Sequence, residues 1–294
     1  MATANHIHVP HEGAAKSNDK RLQRINSGSG HWYKIDGQKA DGVSWVLNNS
    51  VPKGALVGWA AGKVAEECFD NPQGVESLKS LGREAFVKAM KEVPNNDRDQ
   101  AANKGTHVHK MAELIAKGEE VDVPNYIAGH VDSYVDWDET FKPTKMMTEV
   151  TVFHLKQRIG GTLDIWCHLE RMKGVEIIFP DGRDATCRCE DECLSIVDIK
   201  TSRSGVFGDT ALQLAPYGNA EVYIDAAGNI RPMPEIRHYY VLWLRSDGYE
   251  LYPYNVTPKT WKKFLYCQQV AHFNDWKTGD VRNVKGEPIS LPKL

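Results

Sequence analysis

The chain has 294 residues, 41% hydrophobic and 26% charged, enough to bury a sizeable core and to exclude wholesale disorder. Lys and Arg number 36 against 39 Asp and Glu, a formal charge of −3, so a strongly basic protein coating nucleic acid is excluded while a local basic groove is not. The longest apolar stretch, over 55–62, falls far short of the roughly 20 residues of a spanning helix. The opening MATANHIHVPHEG holds no apolar export segment. The expectation is therefore a cytoplasmic protein with no membrane contact and with reduced thiols.

Residues 1–30 are polar, carry His6, His8 and His11, and end in the run NSGSG, which reads as a flexible tail. From His31 the run WYKIDGQKADGVSWVL reads as a hairpin turning at Asp36-Gly37. A helix is predicted over 52–69, stopped by Asn71-Pro72, and another over 75–93, closed by Pro94. Residues 31–96 thus form a mainly helical N-terminal lobe. Residues 97–294 form the core. A helix over 97–117 ends at Gly118. Strands are predicted over 147–155, 161–170, 194–201, 236–245 and 248–255, rich in β-branched and aromatic residues. Helices over 209–224 and 258–277 complete an α/β core with a central mixed sheet flanked by helices.

Asp164, Asp198 and Lys200 carry the chemical signal. Strand side chains alternate faces, so Asp198 and Lys200 share one face with Ile196 in a segment otherwise fit for a core. Asp164 sits likewise inside the run GTLDIW. A buried charge must be paired or must coordinate a cation. Two aspartates from neighbouring strands offer hard oxygens to a divalent ion, but an Asp198–Lys200 or Asp164–Lys200 ion pair meets the same need. Gln213 and Tyr217, four apart, share a helical face, as they also would on an ordinary amphipathic helix. His107 and His109 flank the stripe Val108, Met111, Ala112 and Ile115 on opposite sides, and spacing does not choose between them.

In order, the chain presents Gly105-Thr106-His107-Val108-His109, Glu149, Gly161-Thr162-Leu163-Asp164, Asp198-Ile199-Lys200-Thr201 and Gln213-Leu214-Ala215-Pro216-Tyr217. This series, over 105–217, resembles the PD-(D/E)XK nuclease superfamily, and within it the RecB-like exonucleases of bacteriophages, including those labelled CRISPR-associated in actinobacteriophages. The resemblance implies a restriction-endonuclease-like core and metal-dependent hydrolysis of DNA, as an exonuclease in phage recombination or replication. It implies Mg²⁺ or Mn²⁺ held by His109, Asp164, Asp198 and the Ile199 carbonyl, Lys200 as catalytic lysine, and Gln213 and Tyr217 beside them on DNA. Glu149 matches less closely, and Glu113, one turn after His109, is a candidate hydrogen-bond partner for its ring. The implied partners are DNA ends or single strands and a single-strand annealing protein, inside a bacterial host cell. A nuclease fold kept only to bind DNA ends is the alternative.

Two features depart from the family pattern. Pro216 interrupts the Gln213–Tyr217 helix and bears on where Tyr217 points. The cysteines also differ. Iron–sulfur members carry one upstream and three downstream, whereas here Cys68 precedes the motifs and only Cys267 follows, which argues against a cluster. Cys187, Cys189 and Cys193, with Cys167 or His168, form a candidate zinc set, although C-x-C is tighter than common zinc knuckles. For phosphate contacts the candidates are Arg203, Lys156 and Arg158, with Lys259, Lys262 and Lys263 behind them.

Overall fold

In the computed structural model the described residues are 15–27, 30–188 and 193–279. The middle of the sheet is β6 (Leu194–Lys200), where the run from Ser195 to Ile199 is buried throughout. Such burial follows when helices cover both faces of a strand. It runs antiparallel to β5 (Ile159–His168) and parallel to β9 (His238–Arg245), and β10 (Gly248–Pro253) closes that edge as a hairpin. On its other edge β5 pairs with β4 (Thr144–His154), followed by the short β7 (Val222–Ile224) and β8 (Ile230–Pro232). The architecture is α/β with a mixed sheet.

The second edge of β5 is where the site forms. The edge facing away from β4 is shared by two strands. β6 pairs with residues 165–168, and β3 (Gln38–Gly42) pairs in parallel with Ile159 and Gly160. Between them, residues 161–164 have no ladder partner on that side among the described residues.

Apolar residues pack on both faces. On one, α4 (Arg83–Ala116) contributes Val108, Ala112 and Ala116, and α5 (Ala128–Phe141) contributes Val131, Tyr134 and Trp137, against Ile165, Val197, Ile199, Tyr240 and Leu242. On the other, α1 (Val43–Ser50), α6 (Thr210–Gly218) and α7 (Pro258–Gly279) cover Val150, Val152, Leu163, Ile196 and Val241. Fully burying each such large side chain contributes about 1.5–3 kcal/mol. Among the described residues no helix is long and apolar enough to cross a membrane.

Several expectations are corrected. Leu22–Ser27 and Gly30 are not tail. β1 (Leu22–Ser27) pairs antiparallel with β2 (Gly30–Ile35), because Leu22 joins Tyr33, Ile35 and Phe153 in a small third core. His6, His8 and His11 lie outside the described residues. The expected hairpin ends at Gly42, and 43–50 is helix. The helix predicted from Pro52 starts three residues later, as α2 (Ala55–Asp70), and α3 (Pro72–Ser80) follows. Pro94 does not end a helix but lies inside α4, so the expected boundary at 96/97 falls within one continuous element. An interior proline costs about 3 kcal/mol; here α4 packs along α2 and α3, burying Met90 beside Cys68, and that packing offsets the cost. Cys187 and Cys193 are joined in a disulfide, their Cα atoms 5.9 Å apart, against the expectation of reduced thiols. Two of the three sulfurs assigned to zinc are thus bonded to each other, and Cys189 lies outside the described residues.

Candidate metal centre

The gap on β5 is filled by a side chain. Where the β5–β6 ladder stops at Ile165–Val197, Asp164 reaches across, and its Oδ2 accepts the Ile199 amide hydrogen at 2.7 Å. A carboxylate thus replaces the missing strand partner and satisfies a backbone donor. Its second oxygen, Oδ1, lies 3.4 Å from His109 Nδ1 on α4. The neighbouring histidine points away: His107 is exposed and hydrogen-bonded to Tyr126.

Glu149 reaches the same place through a backbone irregularity. Met146 packs in the first core while Val150 and Val152 pack in the second, although all three positions are even. The inversion coincides with Glu149, whose φ is 53°. A left-handed residue other than glycine costs roughly 1–2 kcal/mol. On β5 the same inversion falls between Leu163 in the second core and Ile165 in the first. Glu149 and Asp164 thus sit where both paired strands switch faces, a device common beside functional sites. Ligand atoms of His109, Glu149 and Asp164 all lie within 4.8 Å of one another.

Asp198 and Lys200 form an adjoining network. Asp198 is 1% exposed, and its Oδ2 lies 2.6 Å from Lys200 Nζ. Gln213 on α6 joins the two: its Nε2 donates to Asp198 Oδ1 at 2.9 Å and its Oε1 accepts from Lys200 Nζ at 3.0 Å. The charges on either side define which way the amide faces. Tyr217, one turn on, hydrogen-bonds Gln213 and is 3% exposed, so Pro216 is accommodated within α6 with the phenol turned inward. Two glycines permit these approaches. A Cβ on Gly161 would lie 2.6 Å from the Tyr217 ring, and one on Gly105 would lie 3.2 Å from Thr201 Oγ1.

The electrostatics follow from crowding acids in a partly buried place. Burial opposes charge on His109, yet Asp164 and Asp198 outweigh it and raise its pKa to about 9. Burial lifts Glu149 to about 7, with the Asp164 charge adding to it. Asp164 stays below its usual range because His109 and Lys200 outweigh burial, whereas burial takes Asp198 above it. Burial works against the Lys200 ammonium too, but Asp198 and Asp164 raise its pKa, so it remains a cation at neutral pH.

The cluster opens into a cleft of about 740 Å³ whose walls include Gly105, His109 and Lys110 of α4 and Arg24, Trp32 and Lys39 of the N-terminal strands. These last three, with Lys110, were missed by sequence reasoning: Arg24 lay in a segment read as tail, and nothing local in the hairpin holding Trp32 and Lys39 or in the helix holding Lys110 signals that they border the cluster. Of the candidate phosphate contacts, Arg203 pairs with Asp97 at 3.0 Å, and Arg158 donates to the Ile35 carbonyl. Neither these two nor Lys156 lines the cleft. Glu113 is engaged by Lys110 and Lys117 rather than by the His109 ring. No protein-family model and no curated protein matches this chain. A solved structure described as "Crystal structure of SSO0001" is 15% identical over 64% of this chain and 73% of that one, with a TM-score of 0.24.

Proposed function

We propose that this protein is a divalent-metal-dependent deoxyribonuclease with a restriction-endonuclease-like core, hydrolysing phosphodiester bonds at DNA ends. One observation carries the reading: ligand atoms from α4, β4 and β5 lie within 4.8 Å of one another, beside a buried aspartate joined to a lysine. His109, Glu149 and Asp164 would hold the cation. One imidazole and two carboxylates suit Mn²⁺, and the oxygen donors suit Mg²⁺. The bound cation supplies Lewis acidity toward a phosphoryl oxygen and a lowered water pKa.

The remaining work belongs to the chain. Lys200, protonated and held by Asp198 and Gln213, offsets the negative charge that gathers on a phosphodiester as it is attacked. Its raised pKa makes it an electrostatic group rather than a proton acceptor. Gln213 keeps the lysine and the aspartate in register, and Tyr217 braces Gln213 from the interior. Burial and the Asp164 charge raise the Glu149 pKa to about 7, which limits repulsion among the three neighbouring carboxylates Glu149, Asp164 and Asp198.

Linear and circular DNA incubated with Mg²⁺ or Mn²⁺ test this reading. Wild-type protein degrades the linear form, and Lys200→Ala and Asp164→Ala each lose at least about 100-fold in rate, the scale set by removing one preorganised charge-stabilising group. Intact linear DNA, or undiminished cutting by either variant, refutes the reading. Cutting of circles at the same rate refutes action at ends.

A further inference from the structure

We infer that the N-terminal strands grip the nucleic acid, with Arg24 taking a phosphodiester oxygen beside the metal centre and Trp32, on the other face of the β1–β2 ribbon, stacking on a base of the same strand. The inference rests on the nuclease reading for the identity of the ligand.

Arg24 is set opposite Tyr33 in the β1–β2 register and lines the cleft. One terminal nitrogen lies 3.6 Å from a Glu149 oxygen and 3.2 Å from His31 Nδ1. Its Nε is buried without an acceptor. A guanidinium presents donors in a planar fork that matches the paired oxygens of a phosphate. With Nε closed to solvent, the other terminal nitrogen, which has no hydrogen-bond partner among the described residues, is the donor left at the rim of the metal cluster for an oxyanion. It also sits where a metal ion would draw the same phosphate.

Trp32 carries the second half. It shares a strand face with Lys34, whose Nζ lies 5.1 Å from the ring centroid, and Lys34 stands opposite Lys39 on β3. Lys39 is exposed, lines the cleft and has no ion pair among the described residues, whereas Lys110 on the far wall is paired with Glu113. Trp32 stands opposite Ile25 in the β1–β2 register. Trp32 also lines the cleft with the unpaired Lys39, and an aromatic residue sharing a wall with a free cation is the composition of a base-stacking platform.

The test measures binding of fluorescein-labelled oligothymidylate by anisotropy, in Mg²⁺ and a Lys200→Ala background that prevents cutting. Trp32→Ala weakens binding roughly 5- to 150-fold, the range for one base–aromatic stack, and Trp32→Phe recovers most of it. Arg24→Ala lowers the slope of log affinity against log salt by about 0.7, the value for one phosphate contact on a single strand, and Arg24→Lys restores it. Phe and Lys at these positions also report on folding. Affinity within about two-fold of the parent in Trp32→Ala, or an unchanged slope in Arg24→Ala, overturns the inference. Wild-type cleavage is scored separately. Cleavage with binding indifferent to both residues removes the grip alone, and binding changes without any cleavage remove the nuclease reading alone.

Discussion

Gly161→Ala isolates the contact on which the inner half of the site depends. An added Cβ would meet Tyr217 Cε1 at 2.6 Å and Cδ1 at 3.1 Å, and Val43 Cγ2 at 3.0 Å. Ordinary carbon contacts lie near 3.5–4.0 Å, so the ring must retreat by roughly 1 Å. It has nowhere to go, because Tyr217 is 3% exposed and Leu214, Ala215 and Pro216 around it are buried. Overpacking of this kind costs about 1–3 kcal/mol, or a fall in melting temperature of roughly 2–12 °C for a chain of this size. A double-mutant cycle in denaturant identifies the cause. In a Tyr217→Ala background the methyl group meets only Val43, so the cost of Gly161→Ala falls by at least about 1 kcal/mol, within the range for residues in contact. Additive costs would refute the ring as the reason for glycine at this position. Displacing Tyr217 also disturbs Gln213, so cleavage falls along with stability.

The remaining predictions concern protons and sulfur. His109 and Glu149 must both lose a proton to bind a cation, and their pKa values are raised to about 9 and about 7. Mn²⁺ affinity measured by calorimetry under nitrogen therefore strengthens as pH rises from about 6 to about 9. The slope is steepest below about 7, where two protons are displaced, and it shallows once Glu149 is ionised. A flat profile, or one unaltered by His109→Gln, contradicts that assignment. Reducing Cys187–Cys193 frees a short closed loop and lowers stability by about 2 kcal/mol. Thermal melts with and without reductant check this, and coincident melts would show that the loop does not depend on the bond.

Much of the layout was written along the chain. The strand through Asp198 and Lys200 and the run ending at Asp164 stand close to their expected places, and so does the start of the helix presenting Gln213 four residues before Tyr217, although that helix, expected over 209–224, ends at Gly218 and Val222–Ile224 form a strand. Period-2 and period-3.6 patterns need only near neighbours along the chain, so they are legible before the tertiary structure is known. The helix α5 carried such a pattern too, with Val131 and Tyr134 spaced three apart, but its acidic and histidine residues masked it.

Other features depended on distant partners. Whether His107 or His109 entered the cluster turned on where α4 lies against β5. That Glu149 rather than Asp198 groups with His109 and Asp164 turned on a left-handed residue inside a strand. Pro94 ran through a helix because α2 and α3 support it, and a segment resembling a loose tail became a strand because Leu22 found Tyr33 and Phe153. From residue order alone came the charged side chains on one strand face, since alternation needs only neighbours. Which of them meet, and which arginine faces them, was decided by the gap left where β3 and β6 share one edge of β5, and no periodicity encodes a gap between strands more than 150 residues apart.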